Sequence, residues 1–131
     1  MAKRIKISVE EKEAYKLAIL QVLTRHIGRN NAISMGRLYR LAIGEYADVI
    51  NDTRMMRQII TELRDGGNPI CSTPAQSGGG YYLSSAGSEL KDYCVQQRKR
   101  ALKILTREAV LRKITVPELL GQIQMELTEA A

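Results

Sequence analysis

The chain contains no tryptophan and no phenylalanine, and six tyrosines make up its entire aromatic complement. Leu, Ile, Val, Met and Ala must therefore do most of the packing, and a heavily aromatic pocket is not expected. Cys71 and Cys94 stand apart without CxxC spacing, so a metal knuckle and a disulfide framework are both poor readings; both are expected as small buried or half-buried residues. The one histidine, His26, lies near a helix end with no partner pattern around it. The carboxylates occupy helix-capping and surface positions without metal-ligand spacing. Neither catalysis nor a cofactor or bound metal is expected. No apolar run is long enough to span a bilayer, and the basic N-terminal segment MAKRIKISVEEK is not followed by an apolar one, so a soluble, cytoplasmic protein with no membrane association is expected.

What is present in excess is positive charge. Twenty Lys and Arg against fourteen Asp and Glu give a net charge of +6, which suits an acidic partner such as nucleic acid or an anionic surface. The charge is unevenly placed. Residues 1–25 carry six basic and three acidic side chains, residues 91–114 carry eight and two, and residues 115–131 carry none and three.

The segment KRIKI at 3–7 alternates basic and apolar residues, as a short strand or a flexible arm would. Ser8 with Glu11 forms a capping box, and Ala14, Tyr15, Leu17, Ala18, Ile19, Val22 and Leu23 make an apolar stripe that predicts a helix up to Arg25 or His26. GRNNAIS at 28–34 supplies turn formers, with a brief strand at Ala32-Ile33. Ser34 then caps a second helix whose apolar face is Leu38, Leu41, Ala42 and Ile43, with Arg37 and Arg40 pointing away, and Gly44 ends it.

A short connection, EYADVIN, leads into DTRMMRQIITELRDGG. On a helix, Met55, Met56, Ile59, Ile60 and Leu63 share one face, while Arg54, Arg57, Gln58 and Thr61 share the other. Asn51 or Asp52 can cap it, and Gly66-Gly67 stops it. After the glycines, Ile70 to Thr73 and Tyr81 to Leu83 flank a loop containing Pro74 and Gly78-Gly79-Gly80, which reads as a hairpin. The three glycines lack a following helix and a Lys-Ser or Lys-Thr pair, so they do not form a nucleotide-binding loop. Tyr81 and Tyr82 alternate across a strand, one packing inward on the third helix and the other remaining outside.

Ser85 or Ser88 opens a long helical run in which Leu90, Tyr93, Cys94, Ala101, Leu102, Ile104, Leu105, Ala109 and Leu111 recur at three- and four-residue steps. Arg98, Lys99, Arg100, Lys103 and Arg107 form a basic patch on it, fitted to phosphates, to an acidic partner, or to simple solvation. Thr115 with Glu118 repeats the capping box, and Leu119, Leu120, Ile123 and Leu127 follow on a short final helix with Pro117 in its first turn.

Three helices and then a hairpin is the chain plan of a winged helix. The span from about Ile33 to Leu83 resembles winged helix-turn-helix DNA-binding domains, particularly small bacterial and phage types, on Leu63-Arg64-Asp65-Gly66, Pro69-Ile70 and Gly78-Gly79-Gly80-Tyr81-Tyr82-Leu83. The resemblance implies a mainly α fold with a small β-hairpin wing, a winged-helix domain over 1–87, and a C-terminal helical extension over 88–131. It also implies that 53–65 is the recognition helix, lying in the major groove of double-stranded DNA with Thr53, Arg54, Arg57, Gln58 and Thr61 facing the bases. The wing at 74–80 would then lie along the backbone or minor groove, with Gln76 and Ser77 at an uncharged tip. Arg37 and Arg40 suit phosphate contacts, which position without specifying.

The function expected is double-stranded DNA binding, as a transcriptional regulator. A protein-interaction or assembly adaptor, or a replication accessory of a phage or mobile element, uses the same shape. A long amphipathic helix beyond the core must bury its stripe, either in a homodimer through the C-terminal helices or by folding back on its own domain.

Overall fold

A computed structural model describes residues 7–44, 51–74 and 79–130. It is mainly α-helical with one two-stranded antiparallel hairpin: α1 (Val9–Leu23), α2 (Met35–Ala42), α3 (Asn51–Asp65), β1 (Ile70–Ser72), β2 (Tyr81–Leu83), α4 (Gly87–Arg112) and α5 (Val116–Ala130). The chain divides into two units, Met1–Leu90 and Lys91–Ala131.

The helix starts follow from local chemistry. Ser8 accepts a hydrogen bond from the Glu11 amide at 3.1 Å, Ser34 from the Arg37 amide at 3.3 Å, and Thr115 from the Glu118 amide at 3.2 Å. Each hydroxyl satisfies one amide that the first helical turn leaves unpaired. The α3 stop is equally local. The Gly67 amide donates to the Arg64 carbonyl and the Asn68 amide to the Leu63 carbonyl, a pairing that requires the left-handed φ of 94° at Gly67. Helix α1 ends at Leu23, short of the expected 25 or 26, because the Arg25 and His26 amides turn back to Val22 and Leu23 in tighter turns.

In the first unit, Ile19 and Leu23 of α1, Ile33, Leu38 of α2, Met56, Ile59, Ile60 and Leu63 of α3, and Ile70 of β1 form one buried cluster. Strand β2 is paired on both edges. On one side Ile70, Cys71 and Ser72 face Leu83, Tyr82 and Tyr81. On the other, Ile33 and Tyr81 exchange backbone hydrogen bonds of 2.9 and 2.8 Å, and Leu83 pairs with the chain at His26 and Gly28. The brief strand expected at Ala32-Ile33 is thus a single bridge that ties the α1–α2 connection to the hairpin. His26 adds to it, its Nδ1 lying 2.8 Å from the Asn31 carbonyl.

Several side chains depart from the expected pattern. Leu17 and Leu41, expected on the buried faces of α1 and α2, are 60% and 59% exposed. Cys71 is buried, but Cys94 is exposed on α4. Neither tyrosine remains outside the hairpin. Tyr81 packs against the core with its ring 5.8 Å from the Arg64 guanidinium carbon, while Tyr82 is buried on the opposite face. Burial, with Cys71 opposite and Glu89 nearby, pushes the Tyr82 hydroxyl above its ordinary pKa. Glu89 closes that side by accepting from the Ser85 amide at 3.0 Å and the Arg29 amide at 3.3 Å.

In the second unit the long helical run ends at Arg112, just ahead of the expected Thr115 cap of the final helix. The Lys113 amide donates to Val110 and the Ile114 amide to Ala109, and Lys113 takes a left-handed φ of 56°. The left-handed position that ends α4 falls on a lysine rather than a glycine. Ala109 and Leu119, on either side of the break, are the buried residues among those described here, while Ile104, Leu111 and Leu127 of the expected stripes are largely exposed.

Two substitutions test this account. A Cβ on Gly80 would overlap the Ile33 carbonyl oxygen, inside the backbone bridge. Gly80→Ala should therefore cost more than about 2 kcal/mol in denaturant unfolding, since the obstacle is backbone and cannot rotate away. Lys113→Gly should instead stabilise the α4–α5 turn by about 0.5–1 kcal/mol, as the left-handed penalty exceeds the entropy cost of glycine. Helix content against temperature would register it.

Candidate nucleic-acid interface

The outward face of α3 is set by what its inward face buries. Met56, Ile59 and Ile60 are at most 1% exposed and Leu63 is 6% exposed. Burying four such side chains contributes roughly 6–12 kcal/mol, as much as the net stability of a typical small domain. Rotating α3 would forfeit that, so its register on the core is fixed. Arg54, Arg57, Gln58 and Thr61 are consequently all exposed, and Thr53 is half-buried at the edge of the same face.

These residues stand at three- and four-residue intervals, which places neighbouring side chains about 5–6 Å apart at Cβ along one side of a helix. Thr61 donates its hydroxyl hydrogen to the Arg57 carbonyl at 2.8 Å, leaving its oxygen lone pairs outward as acceptors. Arg37 and Arg40 are exposed on α2, one turn apart. Gln76 and Ser77, the wing-tip residues of the expected site, lie outside the described residues, as do the basic residues Lys3, Arg4 and Lys6.

An arginine face can be silenced by its own carboxylates, and Asp52 and Glu62 are the candidates on α3; the Asp52 side chain lies outside the described residues. The structure turns Glu62 elsewhere. Lys12 of α1 contacts the Glu62 carboxylate at 2.7 Å, and both side chains are less than half exposed. The Lys12 hydrogen bond, with the charges of Lys12 and Lys16, holds the Glu62 carboxyl below its ordinary value of 4.5 despite partial desolvation. The ion pairs among the described residues are Lys12–Glu62 and Lys16–Glu13, so neither Arg54 nor Arg57 is matched with a described carboxylate. Asp65 is exposed at the far end of the helix. Residues 12 and 62 are fifty positions apart, and no local sequence pattern signals their meeting.

The remaining side-chain chemistry offers little else in this unit. Among the described residues no group of three or more His, Cys, Asp or Glu side chains could hold a metal ion, and no helix is long and apolar enough to cross a membrane. His26 is engaged with backbone in the turn after α1. The chain matches no family model, no curated protein and no solved structure.

The Lys12–Glu62 pair has a pH signature. A carboxyl whose folded pKa is depressed contributes stability that is present above its ordinary value of 4.5 and lost as pH falls below it, through the lowered folded value. Wild-type protein should lose unfolding free energy over that acid window, and Glu62→Gln should lose less. Denaturant midpoints at neutral pH and below the Glu62 value, compared between the two proteins, would show the difference.

Proposed function

We propose that the first unit is a winged helix-turn-helix that binds double-stranded DNA through α3, as a cytoplasmic, non-enzymatic transcriptional regulator. The observation that carries this reading is the α3 outer face: two arginines, a glutamine and a threonine in one exposed row, on a helix whose opposite side is locked into the core, with Glu62 drawn away by Lys12. The major groove admits a helix of this kind, and its base edges match these side chains. Arg54 and Arg57 suit bidentate contacts to guanine, Gln58 suits adenine, and Thr61 presents an oxygen acceptor to a cytosine amino group. Arg37 and Arg40 supply phosphate contacts that fix orientation without reading sequence.

A net charge of +6 supports the long-range part of binding. Its counterion-release contribution makes affinity fall as salt rises. Residues 74–80, which include Gln76 and Ser77, contain no cation, so the reading places the burden of affinity on the two helices rather than on the wing.

Alanine at Arg54 or Arg57 should weaken binding to a selected duplex by about 1–3 kcal/mol and relax preference at one base position each. Alanine at Arg37 or Arg40 should weaken selected and random duplexes alike and lower the salt slope by about 1. Titration of labelled duplexes at several salt concentrations measures both. Unchanged DNA binding in the Arg54→Ala, Arg57→Ala double variant would remove α3 as the reading element and favour docking on a protein.

A further inference from the structure

The second unit carries a face that is exposed on α4. Lys99, Leu102, Lys103, Thr106, Arg107 and Val110 line a shallow, open depression along α4. They form two adjacent rows with four-residue spacing. Leu102, Thr106 and Val110 make one apolar in character, and Lys99, Lys103 and Arg107 make the other basic. Leu102 is 40% exposed and Val110 69%. Side chains four apart form the ridges by which helices pack, so this face is shaped to receive another helix. A purely phosphate-binding surface would need the basic row but not the apolar one beside it.

Helix α5 presents the complementary pair. Ile123 and Leu127 continue an apolar row at the same spacing from the buried Leu119, and beside it run Glu118, Gln122 and Glu126. Residues 116–130 contain three Glu and no Lys or Arg, whereas residues 91–113 contain eight cations and two acids. At the corner Arg112 Nη1 donates to the neutral Gln122 Oε1 at 3.1 Å. Beyond the corner the rows remain open, with Leu127 63% exposed.

We infer that this surface is an interface between two copies of the chain, in which the Lys99–Lys103–Arg107 face of α4 receives the Glu118–Gln122–Glu126 face of α5 from the second copy, and the reverse. The arrangement is self-complementary, because each copy supplies one basic and one acidic face, so two equivalent contacts close a two-fold dimer. Charge matching sets the partner and register, and Leu102, Val110, Ile123 and Leu127, which are not buried within the chain, supply the apolar area. The inference goes beyond the DNA-binding reading and stands or falls without it.

The test uses the full chain, treated with nuclease so that DNA cannot bridge copies, in sedimentation equilibrium. Wild type should approach twice the 14.7 kDa chain mass. Lys103→Glu with Arg107→Glu makes both faces acidic, and Glu118→Lys with Glu126→Lys makes both basic. All four residues are exposed, and circular dichroism should show helix content unchanged. Each double variant alone should associate at least roughly ten-fold more weakly than wild type. An equimolar mixture of the two should recover the dimer, because each acidic face then meets a basic one. A wild-type chain that stays monomeric up to its solubility limit overturns the inference and leaves the face to a different partner. Variants that dimerise as wild type does, or a mixture that remains monomeric, overturn it as well.

Discussion

Burial of one side of α3 governs the first unit. Met56, Ile59, Ile60 and Leu63 meet Ile19 and Leu23 from α1, Leu38 from α2, Ile33 from the α1–α2 connection and Ile70 from β1, with Tyr81 and Leu83 of β2 packed alongside, so every element of this unit contributes to the seat of one helix. The helix cannot turn without exposing four large apolar side chains. The chemistry of its outer side is therefore presented by a rigid support, which a base-reading surface needs if its side chains are to arrive already oriented. Backbone pairing reinforces this. β2 bonds to β1 on one edge and to Ile33 and residues 26–28 on the other, and the bare α-carbon of Gly80 permits that second contact.

Electrostatics then separates the two sides of the helix. Glu62 belongs to α3 in sequence but to α1 by contact, because Lys12 holds it at 2.7 Å. A carboxylate left among Arg54, Arg57 and Gln58 would offset the field that attracts phosphate and would repel the DNA backbone. Withdrawing it leaves Asp65, at the far end, as the exposed carboxylate of α3 among the described side chains. The second unit uses charge in a different way, with cations concentrated on α4 and acids on α5, a distribution suited to pairing between helices rather than to a single acidic partner.

The features legible in the sequence are those written within a few residues of each other. Ser8, Ser34 and Thr115 cap helices because a hydroxyl reaches an amide three positions on, and Gly66-Gly67 stops α3 because only a left-handed residue closes that turn. The hairpin strands were likewise marked by β-capable residues around glycine and proline. Periodicity also separated the buried and exposed sides of α3 correctly. It failed where a side chain's surroundings come from elsewhere in the chain. Leu41 and Leu111 fit an apolar stripe yet face solvent, and Tyr82 is buried on the face of the hairpin away from the core, beside Cys71. The clasp of Glu89 on the Arg29 amide spans sixty residues, and the left-handed turn just before the expected Thr115 cap falls on Lys113, a residue with no turn preference of its own. In the candidate site, the outward set at 54, 57, 58 and 61 was readable from spacing, but the removal of Glu62 was not, since the residue that removes it lies on another helix.

The central claim is that the outer face of α3 reads base sequence. Selection of bound fragments from random duplex DNA tests it most directly, at a salt concentration where counterion release no longer dominates binding. The account predicts enrichment of a defined motif with guanine at fixed positions, repeated as two inverted half-sites if two copies bind together. Recovery of sequences indistinguishable from the starting pool would contradict it.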